Sequence, residues 1–419
     1  MTEHTNTPKL RFPEFREGWE SYKLNELRNT EDKYSFTGGP FGSDLKKSDY
    51  TTEGIQIIQL QNIGDGYFDN HNKIFTSYAK ADSLKSCNIF PGDIIIAKMA
   101  DPLARATILP NNNVGRYLMA SDGIRLSVDT QNFDKKFVVE YINSKHFRKK
   151  AENNSTGSTR MRIGLGTLGK LTLEVPTTIE QRKIGDFFSK LDQQIELEEK
   201  KLELLEQQKR GYMQKIFSQE LRFKDKKDDY YSDWKNYQLK DLTYYKNGKG
   251  YEKVATTNGK YNIINLNSIG VKGQLKDSGK YTNFEDDTLL KNDLIMILSD
   301  VAKGNLIGMT AIIDENNKYL LNQRIALLRI KNSLITNAYF LYLYINFNRK
   351  YFINMSTGMS QLNINKKTVE DFQVNLPNIE EQNKIAILFK NYEDNIKKQA
   401  SKVKLLKQRK KGLLQKMFV

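Results

Sequence analysis

Few side chains in this sequence are typed and spaced for catalysis. Gly164-Leu165-Gly166-Thr167-Leu168-Gly169 spells a dinucleotide-binding fingerprint, with Lys170 behind it. That motif works between a strand and a helix, because the pyrophosphate sits on the helix N-terminus. Here Leu171 to Pro176 read as a strand closed by proline, and the second half has Asn365-Lys366-Lys367-Thr368-Val369-Glu370 at the same place. No nucleotide site is expected there. Asp44-Leu45-Lys46 has the types of a nuclease carboxylate–lysine fragment, but the other half lacks it. No GxxxxGK[ST] loop and no Asn-Pro-Pro-aromatic methyltransferase motif occurs. Asp93 and Asp293 each precede a short apolar run, where a carboxylate caps a turn more readily than it catalyses. One cysteine, Cys87, forms no intrachain disulfide, and it makes poor material for zinc beside the scattered His4, His71 and His146.

The bulk charge points elsewhere. Net charge is +16 with a pI near 9.4, and such an excess attracts polyanions. Nucleic acid is the expected partner, with an acidic protein as the alternative. No run reaches the roughly 18 apolar residues that span a bilayer, and the first residues lack a secretory pattern. The chain is expected to be cytoplasmic and metal-free.

The elements that must position any binding residues are duplicated. The segment after Pro176, Ile179-Glu180-Gln181 through Phe217, returns after Pro377 as Ile379-Glu380-Glu381-Gln382 through Phe418. Each half opens alike, at Trp19 and Trp234, and each tryptophan is expected to anchor a core edge. Strands are expected at Ile57-Ile58-Gln59-Leu60-Gln61-Asn62-Ile63 and Ile263-Ile264-Asn265-Leu266-Asn267-Ser268-Ile269, and at the apolar runs after Asp93 and Asp293. Between these matching strands the glycine- and lysine-bearing loops diverge. One scaffold with two dissimilar loop sets describes two recognition surfaces. The fold class is two α/β (α+β) domains separated by two long helices. The boundaries are 1–178, 179–217, 218–378 and 379–419.

Both long helices carry an apolar seam broken at two matching places, Glu198 and Lys209 in the first, Gln399 and Lys410 in the second. Polar seam residues fix register. An antiparallel coiled coil is therefore expected to set Glu198 against Lys410 and Lys209 against Gln399, avoiding a stranded charge. Two solvated helices serving separate partners are the alternative. Each helix would span about 58 Å.

Ser155-Thr156-Gly157 and Ser356-Thr357-Gly358 recur before the last strand of each half, as a phosphate-holding turn or a helix C-cap. With the Trp-x-x-Tyr-x-Leu-x-x-Leu openings, Pro40-Phe41-Gly42-Ser43, and the Pro…Glu-Gln-x-Lys-Ile helix starts, they carry a resemblance. The whole chain resembles the DNA specificity subunit of type I restriction-modification enzymes. That resemblance implies a non-catalytic chain whose two target-recognition domains each read half of an asymmetric double-stranded DNA site. The helices would act as a ruler and dock two methyltransferase (modification) subunits, through which restriction subunits join. S-adenosylmethionine, ATP and magnesium would belong to those partners. A stand-alone DNA-binding regulator or anti-restriction protein is the alternative. In such a chain Lys and Arg position the backbone while amides and Arg read base edges. The loop candidates are Lys46, Lys47, Lys98, Arg105, Arg160 and Arg162, then Lys246, Lys249, Lys253, Lys303, Gln361 and Asn363.

Overall fold

The computed structural model describes residues 7–99, 101–111, 114–157, 160–300, 306–358 and 361–418. Two long helices, Thr178–Phe217 and Ile379–Met417, run through stretches free of proline and rich in Leu, Glu, Gln and Lys. The first ends where Gln219 turns to positive φ (63°) and donates its N–H to the Ile216 carbonyl. A left-handed residue just past a helix is a common stop.

The chain forms two compact α+β units that do not follow the two sequence halves. The first comprises Met1–Lys200 with Ala400–Val419, and the second Lys201–Gln399. In the first unit Phe418 stacks on Phe188 (ring centroids 5.9 Å) and meets Tyr141 edge-on at 5.3 Å, within a core that holds Trp19 and Phe137. In the second, Phe217 stacks on Phe389 (6.5 Å) and meets Tyr344 at 5.4 Å. Burying Phe418 is worth about 2–3 kcal/mol and half-burying Phe217 somewhat less, which ties each helix end to the core where its ring lands.

The first unit has a four-stranded antiparallel sheet ordered Phe36–Gly38, Gly123–Leu126, Ile94–Ala97, Ala106–Ile108. Its second unit counterpart is Thr243–Asn247, Ile325–Ile330, Leu294–Ile297, Thr310–Ile312. Each has a second sheet containing one parallel pair, Ile55–Ile58 with Tyr117–Met119 and Tyr261–Ile264 with Tyr319–Leu321. The strands expected to run to Ile63 and Ile269 stop earlier, because Leu60–Asn62 and Leu266–Ser268 form 3-10 turns. Alternation alone does not separate such a turn from a strand end.

Asp93 and Asp293 are turn caps, accepting the Phe90 and Leu290 N–H groups at 2.8 Å. Each also pairs with an arginine, Arg125 at 2.7 Å and Arg329 at 2.6 Å. Asn143 and Asn346 fill equivalent roles, each binding both backbone groups of one strand residue, Ala106 and Thr310 respectively. The Gly164–Gly169 stretch holds only a five-residue helix, Leu165–Gly169, before the strand Thr172–Val175.

The start of each long helix is clasped by the segment that leads into its unit. Arg11 donates Nε and Nη2 to the two oxygens of fully buried Glu180, both at 2.7 Å. Arg222 does the same to Glu381, at 3.3 and 2.9 Å. Neighbouring Gln181 and Gln382 accept the N–H of Asp134 and Asn337 and donate to the carbonyls of Pro176 and Pro377. A buried carboxylate needs such partners to stay charged.

The register between helices differs from the expected one. In the first unit Lys410 pairs with Asp192 (2.7 Å) and Glu140 (3.0 Å), while Glu198 takes Lys402. In the second, Lys209 pairs with Glu393 at 2.7 Å. Lys410 and Lys209, the seam lysines expected to meet Glu198 and Gln399, thus each take an equivalent carboxylate within their own unit. The reason lies beside the seam: Asp192 and Glu393 hold matching places in the two copies, and a half-buried lysine takes the nearest carboxylate. Partner numbers fall as residue numbers rise within each unit, so the packed helix segments run antiparallel.

Glu140 has no acidic counterpart, since Leu343 stands at its place in the second unit. Burial pushes its carboxyl up to about 7; Lys410 opposes that shift, whereas Asp192 and Asp65 add to it. The folded state therefore holds a proton that the unfolded chain has released above its ordinary value near 4.5. Stability contributed by this group falls as pH rises from there towards 7. Glu140→Leu, which leaves Lys410 its Asp192 partner, is expected to flatten the pH dependence of the thermal midpoint across that window. An unchanged slope would contradict this.

Candidate nucleic-acid interface

The loops leaving the carboxyl ends of a parallel strand pair converge on one edge, the usual ligand position in an open sheet. In the first unit these are the turn at Gln59–Gln61 and the loop Ala120–Asp122. A third, Gly39–Phe41, arrives from the strand Phe36–Gly38. Gly39 donates its N–H to Gly123 O at 3.0 Å, and a Cβ there would lie 1.8 Å from Ala120 O. The three loops line an open cleft of about 350 Å³, with Phe41 on its rim 81% exposed. Around it Lys98 Nζ donates to Ser121 O at 3.2 Å, Arg162 pairs with Asp122, and Arg105 Nη2 donates to Leu60 O at 2.7 Å. Partial burial, then Arg162, lower the Lys98 pKa.

The second unit builds the same frame. Gly248 donates to Ile325 O at 3.0 Å, and a Cβ would lie 1.9 Å from Asn322 O. The Gln59 N–H is held by buried Asn62 Oδ1 at 2.9 Å, and the Asn265 N–H by buried Ser268 Oγ at 3.0 Å. Lys98 N–H reaches Asp122 O and Lys98 O accepts from Ile163; Leu298 does so with Arg324 and Ile364. The frames match, but the side chains do not. Ser121 and Asp122 stand where Gln323 and Arg324 do, and Arg160 and Arg162 where Gln361 and Asn363 do.

Beside this edge the second unit has a cleft of about 430 Å³ lined by Lys246, Lys249, Tyr251, Asp286, Asp287 and Arg329. Lys246 pairs with Asp287 and Lys249 with Asp286, both at 2.6 Å. Lys249, the Asp287 N–H and the Tyr251 hydroxyl hold Asp286 down at about 2. Among the described residues, no three His, Cys, Asp or Glu gather as a metal site, and no helix is long and apolar enough to cross a membrane. The edges offer cations, amides and hydroxyls, the groups that hold phosphates and base edges.

A family model described as the type I restriction modification DNA specificity domain matches residues 16–207 and again 231–407. The chain belongs to that family. The chain is 24% identical over 244 residues to the type I restriction enzyme MjaVIII specificity subunit of Methanocaldococcus jannaschii, a match covering 53% of the chain and 51% of that relative. The chain thus spans about half the length of that relative. It is 22% identical to the putative MjaX specificity subunit of the same organism, over 85% of both. In fold it is similar to the crystallised type I restriction-modification S subunit from M. genitalium, with TM-score 0.60, 17% identity and 99% of each chain covered. A second structure, from work on complex assembly and conformational transition of the type I R-M system, gives 0.57 at 14% identity, covering 96% of this chain and 97% of that one.

Within this specificity-domain chain the candidate residues are placed unevenly. Lys98, Arg105 and Arg162 gather at the first edge, and Gln361 and Asn363 at the second, where Gln361 Nε2 reaches Ser299 and Asn363 pairs with it in a short strand. Arg105 is engaged in holding the Gln59–Gln61 turn, and Lys246 and Lys249 are neutralised by aspartates. Lys46 and Lys47 are exposed on a turn capped by Asp49, while Arg160 and Lys253 are exposed. Lys303 lies outside the described residues. The Ser-Thr-Gly segments are helix-ending turns: Ser155 and Ser356 donate to Glu152 O and Ile353 O at 2.7 Å, and Gly157 and Gly358 take φ of 94° and 119°. Their Thr156 and Thr357 N–H groups bond Arg162 O and Asn363 O, so these donors are not open to a phosphate. Sequence reasoning missed the Arg11 and Arg222 clasps and the carboxamides of Gln59, Gln61, Asn265 and Asn267. Leu-Arg-Phe does recur, at Leu10 and Leu221, and signals the clasps.

Proposed function

We propose that this chain is the sequence-specific, non-catalytic DNA-binding subunit of a type I restriction-modification complex in the cytoplasm. Each unit reads one half of an asymmetric bipartite target. The long helices form an antiparallel coiled coil that sets the spacer and docks two methyltransferase subunits, through which restriction subunits join. S-adenosylmethionine, ATP and magnesium act in those partners. The observation that carries this reading is the matched frame with unlike side chains: one scaffold, built twice, presents two edges of different chemistry. The +16 charge supports a phosphate-rich partner, and phosphate contacts from Lys98, Arg160 and Arg162 would position the first unit.

Assembly dependence tests it. Purified chain combined with a type I methyltransferase subunit should protect a specific DNA target that neither protects alone. Specific protection by the chain alone would instead favour a stand-alone regulator.

A further inference from the structure

Of the positions that match between the two edges, most differ in chemistry. Phe41 stands against Gly250, Ser121 against Gln323, Asp122 against Arg324, Arg162 against Asn363. The turn after the parallel strand is the exception. Gln59-Leu60-Gln61 and Asn265-Leu266-Asn267 present carboxamides at both flanking places, and Gln61 and Asn267 are exposed. Each turn is fixed from below by a buried polar side chain, Asn62 or Ser268. In the first turn the two carboxamides bond one another, Gln61 Nε2 donating to Gln59 Oε1 at 3.1 Å, whereas in the second the Asn265 carboxamide oxygen accepts the backbone N–H of Asn267 at 2.9 Å. In the first unit Arg105 braces the turn through Leu60 O. Neighbouring charges are less available, since Asp122 is paired with Arg162 and Lys249 with Asp286.

A carboxamide on a rigid, exposed turn is the side chain that pairs bidentately with the N6 and N7 groups of adenine in the major groove. We propose that Gln61 and Asn267 are specificity-determining residues, each reading an adenine of an A·T pair in the half-site of its own unit. This rests on the function proposed above and adds which side chain reads which base. The shared carboxamide reads a base pair common to both half-sites, and the unlike neighbours make the half-sites differ.

The test uses the full chain with its methyltransferase partner and maps methylated sequences on genomic DNA. Gln61→Ala should relax one base position of one half-site, with discrimination there falling roughly tenfold or more. Gln61→Arg should move that position from A·T towards G·C, because Arg pairs with guanine O6 and N7. Asn267→Ala and Asn267→Arg should do the same in the other half-site. The untouched half-site reports that each variant is folded and assembled. A motif unchanged in both Gln61 variants or both Asn267 variants overturns the assignment, as does a single variant that alters both half-sites. A wild-type complex that methylates no bipartite motif overturns the proposed function instead.

Discussion

Arg222→Ala should lower the unfolding free energy of the second unit by about 3–5 kcal/mol. Glu381 is fully buried and accepts from Arg222 through two nitrogens, from Trp234 Nε1 at 3.2 Å and from the Phe223 N–H at 3.4 Å. Without the guanidinium, a carboxylate sealed from water keeps only neutral donors. The cost comes from the stranded charge rather than from the worth of the pair itself. Arg222→Met combined with Glu381→Leu should therefore recover most of the loss. Denaturant unfolding followed by circular dichroism on the two single variants and the double variant measures this, and a single-variant loss below about 1 kcal/mol would refute it. Arg11 and Glu180 predict the same pattern for the first unit, where Trp19 adds no such donor: its Nε1 has no hydrogen-bond partner among the described residues.

Gly39→Ala should disable one half of recognition and leave the other intact. The added methyl would sit 1.8 Å from Ala120 O and 2.5 Å from its carbonyl carbon, a clash with backbone that no rotamer relieves. Either the strand Phe36–Gly38 or the loop Ala120–Asp122 must move, at a cost of about 3 kcal/mol. Both flank the edge proposed to read DNA in the first unit, so binding to one half-site should weaken by at least tenfold. Gly248→Ala repeats the clash against Asn322 O and should weaken the other. Competition binding with DNAs altered in one half-site separates the two effects. Equal weakening at both half-sites in either variant would contradict two independent readers.

Much of the frame was legible in the sequence because it occurs twice. The strands beginning at Ile57 and Ile263, the capping aspartates, the long helices and the divergent loops all follow from pattern and repetition, whereas the parallel pairing with Tyr117–Met119 and Tyr319–Leu321 does not. What escaped depends on reach and on chain ends. Register was read from seam residues alone, yet a lysine side chain is long enough to leave the seam, and Asp192 and Glu393 capture Lys410 and Lys209 from beside it. The compact units cut across the sequence halves because Phe418, at the far end of the chain, packs with Trp19 and Phe137. The Arg11 and Arg222 clasps sit at a spacing different from the rest of the repeat, so the register that matches the two helices does not match the two arginines. Net charge pointed to lysines, whereas the structure engages Lys246 and Lys249 with acids and brings forward uncharged amides that composition does not flag.

One scaffold, used twice with unlike loops, is proposed to read two different half-sites at a fixed separation. Mapping the methylated bases in cells that carry this chain with the proposed methyltransferase partner tests it most directly. The account predicts one motif of two dissimilar specific halves around an unread spacer. A single contiguous motif, or two identical halves, would contradict it.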